Sequence, residues 1–226
     1  MKFTYYGHAC FSVEIHGKHI LFDPFIKGNP LAKAINIREI PADYIFISHA
    51  HYDHVDDLLN IAARTKAMVV ANIEIVGWCV KNGITNTQPL NPGGKWKFEF
   101  GTVRCVVAVH SSSFVSGENG GIACGFIFNT EGGNFYYSGD TAFTLDMQLI
   151  PKWTTLDFAV LPIGDDVTMG YEDAAEVARM VNVQTVVGVH YDTFQFIKID
   201  HEAAVTAFHS KGISLKLLPI GSITEL

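Results

Sequence analysis

Directly after the unbroken apolar run Tyr44-Ile-Phe-Ile47 the chain reads Ser48-His49-Ala-His51-Tyr-Asp53-His54. A continuous apolar run of this length is the pattern of a strand buried on both faces, so the four groups sit on a loop at that strand's C-terminal end. Three imidazoles and a carboxylate crowded into six positions repel when the rings are protonated. They are costly to desolvate unless a cation organises them. His49 and His51, two apart in an extended segment, point the same way, and Asp53 and His54 are free to aim at a neighbouring position. That arrangement suits two metal ions held side by side.

Three further strand ends deliver the same kinds of group. His110 follows Val103–Val109, Asp140 follows Phe135–Tyr137 in Tyr137-Ser-Gly-Asp140-Thr141, and His190 follows Val186–Val189. A single histidine at a strand end has an ordinary structural explanation. Three strands offering imidazole or carboxylate at the same end do not, because zinc and similar borderline metals favour imidazole and a carboxylate can bridge two ions.

The elements around these ligands alternate in kind. Cys10–Ile15 and His19–Phe22 flank a turn at Gly17 as a hairpin, and the loop Asp23–Pro41 leads to Tyr44–Ile47. A short helix near Asp56–Arg64 precedes a strand at Met68–Ala71. The helix Ile73–Asn82, capped by Asn72 and followed by Gly83, is expected to present Ile73, Val76 and Val80 on one side. Strands are then expected at Lys95–Phe100, Val103–Val109, Ile122–Asn129 and Phe135–Tyr137, the last two joined at Glu131-Gly-Gly133. The C-terminal half reads strand Phe158–Pro162, a helix over Glu172–Val181 with Ala174, Val177, Ala178 and Val181 on one face, and strand Val186–Val189. It closes with a helix opened by Asp200 and a strand at Ser214–Leu218. No linker or low-complexity tract divides the 226 residues. Two face-to-face sheets with helices outside, in one α/β domain spanning 1–226, are therefore expected.

Composition narrows the function. The net charge of −7, with Arg38, Arg64, Arg104 and Arg179 as the arginines, speaks against long nucleic acid, which needs a basic face to displace counterions. A small anionic substrate stays open, since bound cations reverse the local field. The most apolar stretch, Ala67–Val80, is broken by Asn72 and Glu74 and is shorter than the ~20 residues that span a bilayer. The N-terminus lacks the apolar region of a secretion signal. Cys10, Cys79, Cys105 and Cys124 are widely spaced and read as buried small hydrophobes. A cytoplasmic protein without a membrane partner is expected; homo-oligomerisation is left open.

The His-x-His-x-Asp-His loop, followed in order by His110, Asp140 and His190, resembles the metallo-β-lactamase superfamily over essentially the whole chain. Gly7-His8-Ala-Cys-Phe11, His110-Ser-Ser-Ser-Phe114, Pro162-Ile-Gly164, Thr168-Met-Gly170 and His190-Tyr-Asp-Thr-Phe194 are similar to its metal-dependent hydrolase branch related to L-ascorbate-6-phosphate lactonase. The resemblance implies a four-layer αββα sandwich of two mixed β-sheets with helices on the outer faces. It implies that His49, His51 and His110 hold one metal, that Asp53, His54 and His190 hold a second, and that Asp140 bridges both. Asp140 stands where β-lactamases of this fold commonly use cysteine, which weakens an antibiotic-hydrolysing role. His51 stands where oxygen-reducing diiron members have glutamate, which weakens a redox role. After Gly164 the chain reads Asp165-Asp166 where related members often read Gly-His.

Two divalent ions, zinc foremost with manganese, iron or nickel as alternatives, lower the pKa of a shared water from 15.7 towards about 7. The resulting bridging hydroxide is expected to attack an ester, lactone or phosphodiester bond of a small, anionic substrate. Asp53 orients the hydroxide or takes its proton, and His8 donates a proton, binds substrate or holds its own turn. Ser111, Ser112, Asn119 and Thr168 are candidate substrate contacts, with turn or cap chemistry as their ordinary reading. A nuclease or cyclic-nucleotide phosphodiesterase is the alternative enzyme, and a non-catalytic metal- or ligand-binding module the alternative class.

Overall fold

The computed structural model describes residues 1–226. The N-terminal half forms β1 (Lys2–Gly7), β2 (Cys10–Ile15), β3 (Lys18–Phe22), β4 (Tyr44–Phe46), β5 (Met68–Ala71) and β6 (Thr87–Pro89). The second half forms β7 (Lys95–Phe98), β8 (Gly101–Val107), β9 (Cys124–Thr130), β10 (Gly133–Tyr137), β11 (Phe158–Pro162), β12 (Thr185–Val189) and β13 (Ser214–Lys216). The last strand, β14 (Ile223–Glu225), returns to the first sheet beside β1, giving two seven-stranded sheets ordered β14-β1-β2-β3-β4-β5-β6 and β13-β12-β11-β10-β9-β8-β7. Each sheet is antiparallel on one side and parallel on the other: β3–β6 run parallel in the first, β10–β13 in the second.

Phenylalanine decides which faces meet. In the first sheet Phe11 stands opposite Phe22, which stands opposite Phe46, and the rings stack at 4.4 and 5.6 Å. In the second, Phe128 stands opposite Phe135 and Phe135 opposite Phe158, stacked at 4.4 and 5.0 Å. The ladders meet edge-on, Phe22 against Phe128 at 5.4 Å and Phe46 against Phe126 at 5.2 Å. Each buried ring contributes about 1.5–3 kcal/mol from area alone, and the offset and edge geometries add ~0.5–1.5 kcal/mol per pair. Opposite this seam, each sheet turns a second apolar face outward.

Helices cover those outer faces. On the first sheet lie α1 (Tyr52–Val55), α2 (Leu58–Thr65) and α3 (Ile73–Lys81), burying Leu58, Ile61, Ile75 and Cys79 against Leu21, Ile45 and Val69. On the second lie α4 (Tyr171–Met180) and α5 (His201–His209), with Ala174, Val177, Ala178 and Phe208 against Ala159, Leu161 and Val186. The layers are therefore α, β, β, α, as the sequence led us to expect.

The caps at Asn72 and Asp200 form as read, the first accepting from Ile75 N–H, the second from Glu202 and Ala203 N–H. Gly83, at φ +86°, ends α3 as expected, and Ile84 N–H returns to Cys79 O. The buried face of α3 differs from expectation. It carries Ile75, Val76 and Cys79, while Ile73 and Val80 are exposed, because the helix turns its Cys79 side to β5 and β6. Thr168 does not cap α4: Gly170 occupies that position, and the Thr168 hydroxyl donates to Met169 O. All four cysteines are buried free thiols. No helix is long and apolar enough to cross a membrane.

Candidate metal centre

Parallel strands align their C-terminal ends, so the loops after β3, β4, β10 and β12 emerge at one edge of the sandwich. The β1–β2 turn and the segment after β8 join them there. Three of the side chains delivered in this way sit on left-handed backbone: His8 (φ +56°), Asp23 (φ +40°) and His190 (φ +56°). Non-glycine residues held so are uncommon and cost of order 1–3 kcal/mol each, a cost tolerated where the site demands the orientation. The His190 turn is locked by its own N–H, which donates to His8 O at 3.0 Å.

Three groups of ligand atoms converge, each within 4.8 Å of one another: His49, His51 and His110; His8, Asp53, His54 and His190; and, behind them, Asp23 with His49 and His54. Asp140 stands between the first two. Its Oδ2 lies 3.8 Å from His49 Nε2, 3.7 Å from His110 Nε2, 3.2 Å from His54 Nε2 and 3.0 Å from His190 Nε2. One oxygen cannot accept from four rings at once. The seven residues named from sequence as ligands are thus brought together.

The hydrogen bonds assign the tautomers. The His54 Nδ1–H donates to Asp23 Oδ2 at 2.8 Å. The Ser48 hydroxyl also donates to Asp23 Oδ2, and accepts from His49 Nδ1–H at 3.0 Å. Both rings therefore turn Nε2 inward, His49 as a lone pair and His54 as a nitrogen that offers its lone pair once a cation displaces its proton. His51 Nε2 lies 3.3 Å from Ser111 Oγ, which leaves its Nδ1 facing His49 Nε2 at 2.9 Å. That separation is a hydrogen bond when His51 Nδ1 carries the proton, and it leaves two lone pairs converging on one cation position when it does not. His54 Nε2 is buried without a hydrogen-bond partner. This donor set, imidazole-rich with shared carboxylate, fits divalent metal ions of zinc type.

The charges agree. Burial, with the neighbouring rings, lowers the pKa of His49, His51 and His110, keeping them neutral as ligands must be. For His54 burial opposes the charged form but is outweighed by the Asp140 and Asp23 carboxylates, so its pKa rises. His190 is treated alike, burial opposing and Asp140 prevailing, and is pushed up to about 9. Asp53 and Asp140 stay ionised despite burial because these rings face them.

Without metal, the proton on His190 helps hold the fold. Its folded pKa of about 9 exceeds the ordinary 6.5, so that contribution is complete below pH 6.5 and gone above 9. Thermal denaturation in chelator is therefore expected to show a falling Tm from pH 6.5 to 9. A Tm rising through that window contradicts the assignment.

The structure corrects several readings. His8 is wholly buried and does not line the cavity. Burial, with His190, lowers its pKa to about 3, so it is neutral, accepting at Nδ1 from the Thr193 hydroxyl (3.0 Å) and donating from Nε2 to Asp53 Oδ2 (2.9 Å). Both of its ring nitrogens are engaged, one by Thr193 and the other by Asp53. Of the candidate substrate contacts only Ser111 lines the cavity. Ser112 donates to Gly120 O and accepts from Ala50 N–H, Asn119 accepts from Gly121 N–H, and Thr168 is turned to Met169.

Asp23 escaped the sequence reading. It is fully buried and accepts from Ser48 N–H, the Ser48 and Tyr137 hydroxyls and His54 Nδ1–H. The available signal was its position: an aspartate immediately after a buried strand, at the same edge as the other ligand-bearing strands.

His51, Asp53, His110, Asp140 and His190 form the floor of a cavity of about 440 Å³, with His49 and His54 buried and outside its lining. A larger concavity of about 580 Å³ around Lys97–Thr102 and Asn129–Glu131 lacks such a constellation and is not the chemical centre.

Comparison with known proteins agrees with this geometry. The family described as "Beta-lactamase superfamily domain" matches residues 18–191. A UPF0173 metal-dependent hydrolase of Flavobacterium johnsoniae is 50% identical over 226 residues, covering 100% of both chains. One from Christiangramia forsetii is 47% identical over 227 residues, again covering 100% of both. The structure of a metallo hydrolase from the hyperthermophilic archaeon Ignicoccus hospitalis superposes with a TM-score of 0.89 at 31% identity, covering 100% of this chain and 98% of that one.

Proposed function

The chain belongs to the β-lactamase superfamily and, within it, to the UPF0173 metal-dependent hydrolases, and on that premise we propose that it holds two divalent ions and hydrolyses an ester, lactone or phosphodiester bond in a small molecule. The observation that carries this reading is the position of Asp140 Oδ2, within 3.0–3.8 Å of ring nitrogens from both histidine groups. His49, His51 and His110 would hold one ion, Asp53, His54 and His190 the other, with Asp140 shared. Bound there, the ions supply Lewis acidity that makes water nucleophilic near neutral pH and stabilises charge developing on a carbonyl or phosphoryl oxygen. Zinc suits the imidazole-rich set best.

The chain's own groups do the rest. Asp53, on the cavity, has Oδ2 engaged by His8, leaving Oδ1 to accept a proton or hydrogen bond from the attacking water. Thr193 and His8 fix the plane of that carboxylate. Ser111 steadies His51 while facing the cavity. No lysine or arginine lines the cavity, so an anionic reacting group would be met at the metal floor alone.

The test is hydrolysis by the metal-replete protein of bis(p-nitrophenyl) phosphate and a lactone panel, with His49→Ala and Asp140→Ala as controls. Turnover abolished by both substitutions is expected; turnover that survives both rejects the site. His8→Ala is expected to lower kcat by roughly 10–100-fold, the usual cost of losing a ligand's supporting partner. His8→Asn, which keeps a donor, should recover part of that loss. Equal kcat in His8→Ala and the parent would remove His8 from the mechanism.

A further inference from the structure

Resting on the hydrolytic reading, we infer that the part of the substrate remote from the scissile bond is uncharged, apolar and at least phenyl-sized. The cavity divides by chemistry: its floor is the metal groups, and its walls are Tyr52, Phe114, Val115, Val167, Phe194 and Phe196. Apart from Ser111 and Ser113, every polar residue of the lining is a candidate metal ligand. A sugar phosphate or a polyhydroxylated acid would meet no cation along these walls and, as hydrogen-bond donors, only the Tyr52, Ser111 and Ser113 hydroxyls.

The walls are braced. The Phe114 ring stacks on Trp78 at 4.5 Å and 19°. It projects from a small hairpin closed by the Ser113–Asn119 bridge and by Phe114 N–H donating to Glu118 O. Phe194 stacks on Phe196 at 5.6 Å and 11° and meets the His8 ring edge-on at 5.5 Å. The third wall uses unusual backbone: Asp165 and Asp166 both take left-handed φ, +64° and +53°, and the turn sends Val167 to the cavity while neither acid lines it. Val115 is 85% exposed, and Tyr52, Val167 and Phe196 are exposed around the same opening. Apolar side chains gathered at one mouth, beside a reactive floor, mark a binding surface and not scattered surface chance. The one lysine or arginine lining the adjoining cavity, Lys81, is engaged by Glu118 at 2.6 Å.

The experiment compares two series with a constant leaving group on the metal-replete protein, rates being divided by those of hydroxide alone. One series is methyl, phenyl and 2-carboxyethyl p-nitrophenyl phosphate; the other is p-nitrophenyl acetate, phenylacetate and succinate. In whichever series turns over, kcat/KM of the phenyl member is expected to exceed that of the methyl member by roughly tenfold or more, with the carboxylated member lowest. Val167→Asp and Val115→Asp should each lower the phenyl member more than the methyl member. An equal or reversed order overturns the inference while leaving the hydrolytic reading intact. Absence of turnover in both series and in the lactone panel rejects that reading. The pocket is then judged by calorimetry on the metal-replete protein: phenylacetohydroxamate binding roughly tenfold tighter than acetohydroxamate sustains the inference, and equal binding overturns it.

Discussion

Asp140→Ala is expected to lower hydrolysis by ~10³-fold or more while the protein still folds. Removing one preorganised electrostatic contact in an active site typically costs about 10²–10³ in rate, and Asp140 contacts both halves of this centre. Its loss leaves His49, His54, His110 and His190 facing one another without the carboxylate that separates them. Two measurements accompany the rate. Metal content should fall below that of the parent, and the His190 ring, followed by NMR in the metal-free protein, should lose the proton affinity that Asp140 gives it. Its pKa should drop from about 9 to below 6.5, since burial then acts unopposed by its largest partner. Parent-like metal content together with parent-like rate would show that the carboxylate is not shared.

Asp23→Ala is expected to have the second largest effect, and on stability as well as chemistry. Asp23 never reaches the cavity, yet it anchors His54 directly and His49 through Ser48, and it accepts from the Tyr137 hydroxyl across the sheet seam. Removing one partner from a buried charged network costs about 3–5 kcal/mol. For a chain of this size that corresponds to a Tm lower by roughly 10 °C. Because both rings lose the group that fixes their tautomer, metal affinity should fall by roughly 10–100-fold. Asp23→Asn keeps the shape and should retain part of the stability while still weakening metal binding, since the amide cannot accept from all three donors at Oδ2. A Tm and a metal affinity both within error of the parent would leave Asp23 without the role assigned to it.

How far the sequence spoke for itself depended on how local each signal was. The His49–His54 loop was legible because its ligands are contiguous and follow an unmistakable buried strand. His110, Asp140 and His190 were legible because each ends an apolar run, and strand ends on one side of a parallel arrangement converge. Asp23 was not, because its significance comes from β3 lying beside β4 and from Tyr137 approaching across the seam. Neither relation leaves a mark on the Asp23-Pro24 dipeptide. His8 was seen as a site residue but given a freer role, since nothing in Gly7–Phe11 announces that Thr193, 185 positions away, will hold its other nitrogen.

The fold followed the same rule. Asn72 and Asp200 were readable as caps because capping is a contact within one turn of helix. The face of α3 was misjudged because Ile73, Val76 and Val80 make as good a helical stripe as Ile75, Val76 and Cys79. Only the position of the sheet selects between them. Strand β14 pairs with β1 across nearly the full chain through Lys2–Glu225, Phe3–Thr224 and Thr4–Ile223. Its three residues are too few to show a period. Among the substrate contacts, serine, asparagine and threonine are named by residue type, whereas the structure lines the cavity wall with aromatic and branched aliphatic side chains.

The claim on which the rest depends is that this edge of the sandwich holds a pair of ions sharing Asp140. It is tested most directly by elemental analysis and anomalous diffraction on protein purified without a metal-affinity step and then loaded with zinc. Two ions per chain are predicted, one within ~2.0–2.2 Å of His49 Nε2, His51 Nδ1 and His110 Nε2, the other within that distance of an Asp53 carboxylate oxygen, His54 Nε2 and His190 Nε2, with Asp140 on both. Zinc found away from these side chains, or none retained, would contradict the account.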